Sequence, residues 1–467
     1  MIYRDLREWI GHLEKEGELV RLKEEINLEP DVGAIGRAIC DIEGPAVLAE
    51  NIVGFTDTGR LATGLTATQQ RIGMALGLAK DAPMKEQKRA WLTGYKRYPI
   101  KARMVKDAPC KENIVRGEGV NLFDFPIPRS NPHDAGPFLF KTSVITKDPD
   151  SDWINSGTYR MQVLDRNKTT MYCNPHKHWG QHYERCRELG KDMECAVAFG
   201  TEPVINMASG MKIPRGWNEF DMAGALREEP EELIMAESVA LPVPAPAEMI
   251  LEGVISLTER AFEGGCGEAT GASSGAVILP VFQVNTITYR SNPIFDTLYM
   301  GRPPEESASA YRTMNSAMLE QELKAIFPQV TEVAFLWPGT RNVVIQGKWG
   351  HRGEPRKAIA AFFGSLNAAY DAKIVTIVDE DIDPWNVTDV MWAIVSRAQA
   401  NKDYVIIPGC KTDLDPSAGL DDTSCWLGID ATKAKPPYDR IVADWVVPPP
   451  GTEFWREKLR KLARRGR

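Results

Sequence analysis

Histidine is scarce. The 467 residues hold only six, and three of them, His176, His178 and His182, share one stretch, PHKHWGQH. A basic excess is also missing: 56 lysines and arginines face 64 aspartates and glutamates, a net charge of −8. That leaves no surplus of cations for phosphate contacts, so no nucleic-acid partner is expected. The local exception is the tail REKLRKLARRGR, which reads as a solvated amphipathic helix end. No window holds the roughly 18 uninterrupted apolar residues of a membrane-spanning helix. MIYRDLREWI lacks the apolar core of a secretory peptide, and the eight cysteines form no CxxC pair. Reduced thiols and a cytoplasmic location are therefore expected.

Standard motifs are thin as well. There is no GxxxxGK[ST] phosphate loop, no GxGxxG between strand and helix, and no HExxH. GASSG, residues 271–275, matches the GxSxG elbow of serine hydrolases. That elbow needs a helix straight after the serine, whereas AVILPVFQVNTITY is strand-like, so a turn before a strand is expected. No internal repeat and no low-complexity linker is present.

What remains is an ordinary globular composition, 43% apolar and 26% charged, long enough for two to four domains. Residues 1–115 read as α/β. Leu6, Trp9, Ile10 and Leu13 recur at helical spacing, and Gly17 suits the position after a helix end. Residues 116–305 carry short β-rich runs separated by Gly, Pro and Asn, which predicts a mostly antiparallel barrel or sandwich. Residues 306–330 read as a linking helix. Residues 331–467 alternate strand and helix, a second α/β unit.

Two clusters carry chemistry. In HKHWGQH, His178 and His182 stand four apart, a zinc-ligand spacing if the stretch is helical. Pro175 and Gly180 argue against a helix, so a zinc hydrolase and a histidine-rich loop both stand. FEGGCGEATG sets Glu263 and Glu268 five apart among glycines. Glycines let a backbone turn tightly, so both carboxylates could face one cavity as an acid–base pair. Two surface glutamates on a turn is the other reading.

The order of several segments resembles the UbiD family of prenylated-flavin-dependent decarboxylases over nearly the full length. The segments are DLREWIGHLEKEGELVRL, IPRSNPHDAGPF, NSGTYRMQVLD, IPRGWNEFDMAGAL, LEG at 251–253, FEGGCGE and VDEDIDPWNVTDVMWAI. The resemblance implies a central split β-barrel of flavin-reductase type, flanked by the N-terminal α/β region and a C-terminal α/β oligomerisation domain. It implies prenylated FMN as cofactor, held through its phosphate by a divalent metal, usually manganese. By position the ligands would be Asn155, His178 and Glu219. Ser156, Gly157, Thr158, Tyr159, Arg160, Lys177, Ser209 and Met211 would line the cofactor, and potassium could sit at the same end. Arg160, Glu263 and Glu268 would be catalytic. Arg160 would orient carboxylates, Glu263 would complete its ion network, and Glu268 would protonate carbon after carbon dioxide leaves a covalent substrate–cofactor adduct. His176 and His182 would fall back to loop or supporting positions. The implied reaction is reversible, non-oxidative decarboxylation of an aromatic or heteroaromatic acid, which Asn174 and Ala269 favour as small or polar neighbours. An aryl-CoA thioester substrate stays open. A flavin prenyltransferase would supply the cofactor, and the chain would form a homodimer or homohexamer. Relatives also carry a late cofactor-binding lysine. Here Cys425 and Trp426 occupy that region and Lys433 lies further on. The acidic run DEDID, 379–383, is expected to favour the start of the helix after it.

Overall fold

The computed structural model describes residues 3–172, 177–336, 341–365, 372–411, 415–419, 421, 423–433 and 449–465. The first helix, Leu6–Lys15, starts at Asp5, whose side chain accepts the Glu8 N–H. Leu6, Trp9, Ile10 and Leu13 are all buried, as their spacing predicts, and Gly17 has a positive φ just past the helix end. Strands Leu19–Leu22, Ala46–Ala49 and Arg60–Thr63 follow and form a sheet. Its fourth strand, Ile294–Thr297, comes from far along the chain and pairs in parallel with Arg60–Thr63.

The site depends on a nine-stranded sheet in which every pairing is antiparallel. The path runs Phe138–Leu139, Met161–Asp165, Lys168–Thr170, Val277–Tyr289, Met249–Glu263, Met193–Phe199, Ser143–Lys147, Ile154–Gly157, with Asn113–Arg116 alongside Val277–Tyr289. The two ends of this path are neighbours in sequence. Ile154–Gly157 lies at one end, and Met161–Asp165 follows after residues 158–160 near the other. Four chain steps reach at most about 14 Å. The sheet must therefore curl until its ends nearly meet. Residues 140–142 cross the same seam, between Phe138–Leu139 and Ser143–Lys147. The two crossings are tied together: the Thr142 hydroxyl donates to the Tyr159 carbonyl at 2.7 Å and accepts the Tyr159 N–H at 3.2 Å. Of the barrel and sandwich expected, the structure has a single curled sheet with an open seam.

The helix Glu306–Ile326 joins this body to the C-terminal sheet. Glu305 caps its start by accepting from Ser307 and Ala308, and Glu306 accepts the Gly64 and Thr66 amides of the N-terminal region. Further along, Glu320 accepts the Val333 amide and Ser316 the Phe335 amide of the C-terminal sheet. That sheet is mixed, in the order Val330–Phe335, Asn342–Gly347, Ile374–Asp379, Thr423–Asp430, Tyr404–Lys411. The acidic run, 379–383, is divided between ion pairs and the approach to the next helix. The following helix, Val387–Arg397, is capped by Asn386, while Asp381 pairs with Arg397 and Lys433. Asp383 of the same run accepts the Trp385 N–H just before that cap. The seven described cysteines are free thiols, and no described helix is long and apolar enough to cross a membrane. The basic tail forms an amphipathic helix, Thr452–Arg465, with Phe454, Trp455, Leu459 and Leu462 exposed.

Candidate active site

Arg160 is the last residue of the seam crossing. Its Nε lies 2.7 Å from Glu263, and its Nη1 forms an ion pair with Glu268. The guanidinium fork is thus divided between two carboxylates and is not bidentate to either. It also lies over the Tyr172 ring, 4.4 Å from the centroid. Glu263 ends the strand Met249–Glu263, is fully buried, and accepts the Thr170 hydroxyl at 2.6 Å. Glu268 is buried in the loop beyond. Burial pushes its carboxyl above the usual range; Arg160 and Arg341 oppose that shift and Glu263 adds to it. Two buried carboxylates share the Arg160 cation, and burial makes a proton easier to hold on Glu268 than on an ordinary carboxylate.

The glycines of FEGGCGE work differently from the expected tight turn. None of Gly264, Gly265 or Gly267 has a positive φ; they allow close approach. A Cβ on Gly267 would meet the Met300 carbonyl at 2.6 Å, and one on Gly264 the Ala135 side chain at 2.1 Å. The loop is also pinned by side chains that sequence reasoning missed. Gln162 accepts the Gly264 N–H at 2.7 Å, and Asp134 accepts the Gly267 N–H at 2.8 Å. Asp134 lies in the quoted segment IPRSNPHDAGPF and Gln162 in NSGTYRMQVLD, though neither was singled out; Thr170 left no local signal. GASSG precedes the strand Val277–Tyr289, so the expected turn before a strand is present and the helix of a hydrolase elbow is not.

A second cluster lies across the seam. Glu219 is buried at the start of the helix Glu219–Arg227, and one carboxylate oxygen accepts the Ser156 N–H at 2.8 Å. Its other oxygen is 4.0 Å from His178 Nδ1. Burial pushes the Glu219 carboxyl up to about 8. Asn155, buried on the neighbouring strand position, has a side-chain amide nitrogen with no partner among the described residues. An amide NH2 cannot ligate a metal, so a cation here would be met by the Asn155 carbonyl oxygen, the Glu219 carboxylate and the His178 imidazole, a mixture of oxygen and nitrogen donors that fits a divalent ion. The Ser156 hydroxyl reaches Ser209 at 2.9 Å, which also lies 3.2 Å from Ser143. Met211, two residues beyond Ser209, is buried. A Cβ on Gly157 would lie 2.4 Å from the Tyr159 ring, so a side chain there would have to displace that ring. Thr158 is half-buried in the seam.

The histidine stretch corrects the loop expectation. A helix, His178–Glu188, starts at His178 with Lys177 at its N-cap, despite Gly180. Gly180 is buried, as are Trp179 and Tyr183, and their packing offsets glycine's cost of roughly 1 kcal/mol. His182 is neither a loop residue nor exposed. It is buried, with Nδ1 3.0 Å from the Thr146 hydroxyl. His178 and His182 do share a helix face, but no cluster of three histidine, cysteine or acidic side chains suited to a metal occurs among the described residues. His176 and Asn174 lie outside the described residues. Lys433 is engaged by Asp381 at 2.9 Å, and Trp426 stacks on Phe363.

Three family models cover most of the chain: the N-terminal domain of 3-octaprenyl-4-hydroxybenzoate carboxy-lyase over 10–91, its Rift-related domain over 103–303, and its C-terminal domain over 309–431. The chain is similar to a phenolic acid decarboxylase of Sedimentibacter hydroxybenzoicus, 34% identical over 99% of this chain and 98% of that one. Its structure is similar to the closed form of the vanillic acid decarboxylase ShVdcCD of the same organism, with TM-score 0.90, 34% identity, and 99% of each chain covered. It is also similar to an evolved dimeric form of the UbiD-class enzyme HmfF from Pelotomaculum thermopropionicum in complex with prFMN (TM-score 0.83, 28% identity, 97% of this chain and 98% of that one). The chain belongs to the UbiD family and is a carboxy-lyase, a decarboxylase.

Proposed function

We propose that this enzyme catalyses the reversible, non-oxidative decarboxylation of an aromatic or heteroaromatic carboxylic acid with prenylated FMN in a split-barrel site. The observation that carries the reading is Arg160 shared between buried Glu263 and Glu268. The names of the relatives above favour a phenolic acid among the substrates. Loss of carbon dioxide leaves a carbanion-like centre that side chains stabilise poorly, and prenylated FMN, when bound, supplies the electron sink. Asn155, His178 and Glu219 would hold Mn2+ against the cofactor phosphate. Ser156–Tyr159, Lys177 and the Ser209–Met211 turn would line that end, with potassium beside the turn.

Arg160 orients the substrate carboxylate while its fork stays fixed by Glu263, and Thr170 fixes Glu263 in turn. Glu268, whose hold on a proton is strengthened by burial, delivers a proton to the carbon that has lost carbon dioxide. Arg160 then stabilises the carboxylate left behind. A flavin prenyltransferase would supply the cofactor, and the working form would be a cytoplasmic homodimer or homohexamer.

The test is Glu268→Gln in enzyme matured with a flavin prenyltransferase. Bound cofactor, read by absorbance and mass, is expected to persist. Carbon dioxide release and deuterium incorporation should fall at least about a thousandfold across benzoic, hydroxybenzoic, furoic, pyrrole-carboxylic and cinnamic acids. Full activity would remove Glu268 from the chemistry, and matured protein without prenylated FMN would overturn the reading. The zinc-hydrolase reading predicts instead that His182→Ala loses as much metal as His178→Ala.

A further inference from the structure

One side chain outside the predicted set touches every segment that carries a proposed metal ligand. Trp153 immediately precedes the strand Ile154–Gly157, two residues before Asn155. Its ring packs T-shaped on His178, 4.9 Å between centroids at 69°, and on His182, 4.6 Å at 89°. Its Nε1 donates to the Trp217 carbonyl at 2.9 Å. Trp217 stands two residues before Glu219. It is itself clamped, stacked on Tyr98 at 3.7 Å and 2°, while Tyr98 Oη accepts the Asn218 N–H at 3.0 Å.

We infer that Trp153 is the positioning residue that sets Asn155, His178 and Glu219 against one another. The inference rests on the metal reading above. The helix bearing His178 starts without a side-chain cap hydrogen bond. The flat indole edge fixes it from the side, and a T-shaped aromatic contact restricts ring orientation as well as distance. The indole N–H does the same for the loop that leads into Glu219. Among the described residues no backbone–backbone hydrogen bond joins these segments, and Glu219 reaches the Asn155 strand through its carboxylate, which accepts the Ser156 N–H. Residues that support metal ligands from behind typically alter metal affinity ten- to a hundredfold when removed.

The experiment is an Mn2+ titration of the full chain followed by electron paramagnetic resonance, with FMN present, in wild type, Trp153→Leu, Trp153→Phe and His178→Ala. Trp153→Leu is expected to weaken Mn2+ binding at least about tenfold. Trp153→Phe keeps an aromatic edge but loses the N–H, so it should fall between, about threefold or more weaker than wild type. His178→Ala should lose the bound-Mn2+ signal. If Trp153→Leu binds within about twofold of wild type while His178→Ala does not, the positioning role is wrong and the metal reading stands. If His178→Ala binds Mn2+ like wild type, the metal reading itself is wrong. Circular dichroism and thermal melting check that the variants fold. Should Trp153→Leu not fold, Trp153→Phe decides, and affinity equal to wild type overturns the inference.

Discussion

Arg160 divides its fork between Glu263 and Glu268, so one positive charge faces two buried carboxylates. Much of that trio was readable from sequence. The spacing of the glutamates suggested a carboxylate pair, and the resemblance supplied the arginine. Thr170, Gln162 and Asp134 could not be assigned a role, because each acts through a contact about a hundred residues away, even where, as for Gln162 and Asp134, the surrounding segment was noticed. The glycines of FEGGCGE were noticed for the wrong reason: a sequence shows that a side chain is missing, not what would have struck it. His182 gives a test at this scale. Burial lowers its pKa from 6.5 to about 4, so the folded ring is neutral where the unfolded ring takes a proton. Unfolding therefore binds a proton between these values. This group's contribution to stability is complete above about 6.5 and is lost as pH falls through about 4. His182→Gln should flatten the fall of melting temperature across that window, measured by scanning calorimetry in a pH series. An unchanged slope would show that His182 does not titrate on unfolding.

Among the elements, those set by local periodicity were legible. The helix Leu6–Lys15, the linking helix and the alternating strands and helices after it lie where apolar spacing puts them. The helix His178–Glu188 was obscured by Gly180 and by a polar face, and it is held by tertiary packing of Trp179 and Tyr183 instead of by propensity. The linking helix Glu306–Ile326 carries the strongest prediction at this scale. Lys88, buried on the helix Met84–Arg97, pairs with Glu320 of the linking helix and with Glu332 of the C-terminal sheet. Trp385 Nε1 adds a hydrogen bond to Glu332 at 3.2 Å. Removing the cation leaves buried Glu332 without an ion-pair partner among the described residues, while Glu320 keeps Lys324 at 2.7 Å. Lys88→Met should therefore cost about 3–5 kcal/mol, read from the midpoint of urea unfolding. Loss of less than about 1 kcal/mol would mean that the pair is solvated in solution.

At the level of the whole molecule, strand order was not legible. Runs such as KTSVITK and YRMQVLD announce strands, but nothing in them states that their sheet curls until residues 142 and 159 meet. Such pairings are long-range and degenerate in a single sequence. The same is true of Ile294–Thr297, which completes the N-terminal sheet from the far side of the curled one. Its pairing with Arg60–Thr63 gives a prediction about fragments. Residues 1–115 alone would expose the unpaired edge of a buried strand, RLAT, and the fragment should aggregate or fail to show cooperative unfolding. A soluble, cooperatively melting fragment would refute this. The order of synthesis is thereby constrained. A ribosome makes Arg60–Thr63 first and must add more than two hundred residues before its neighbour Ile294–Thr297 leaves the exit tunnel. For that interval the nascent chain carries an open strand edge, so the amino-terminal region must wait, or be shielded by a chaperone, until the curled sheet has been translated.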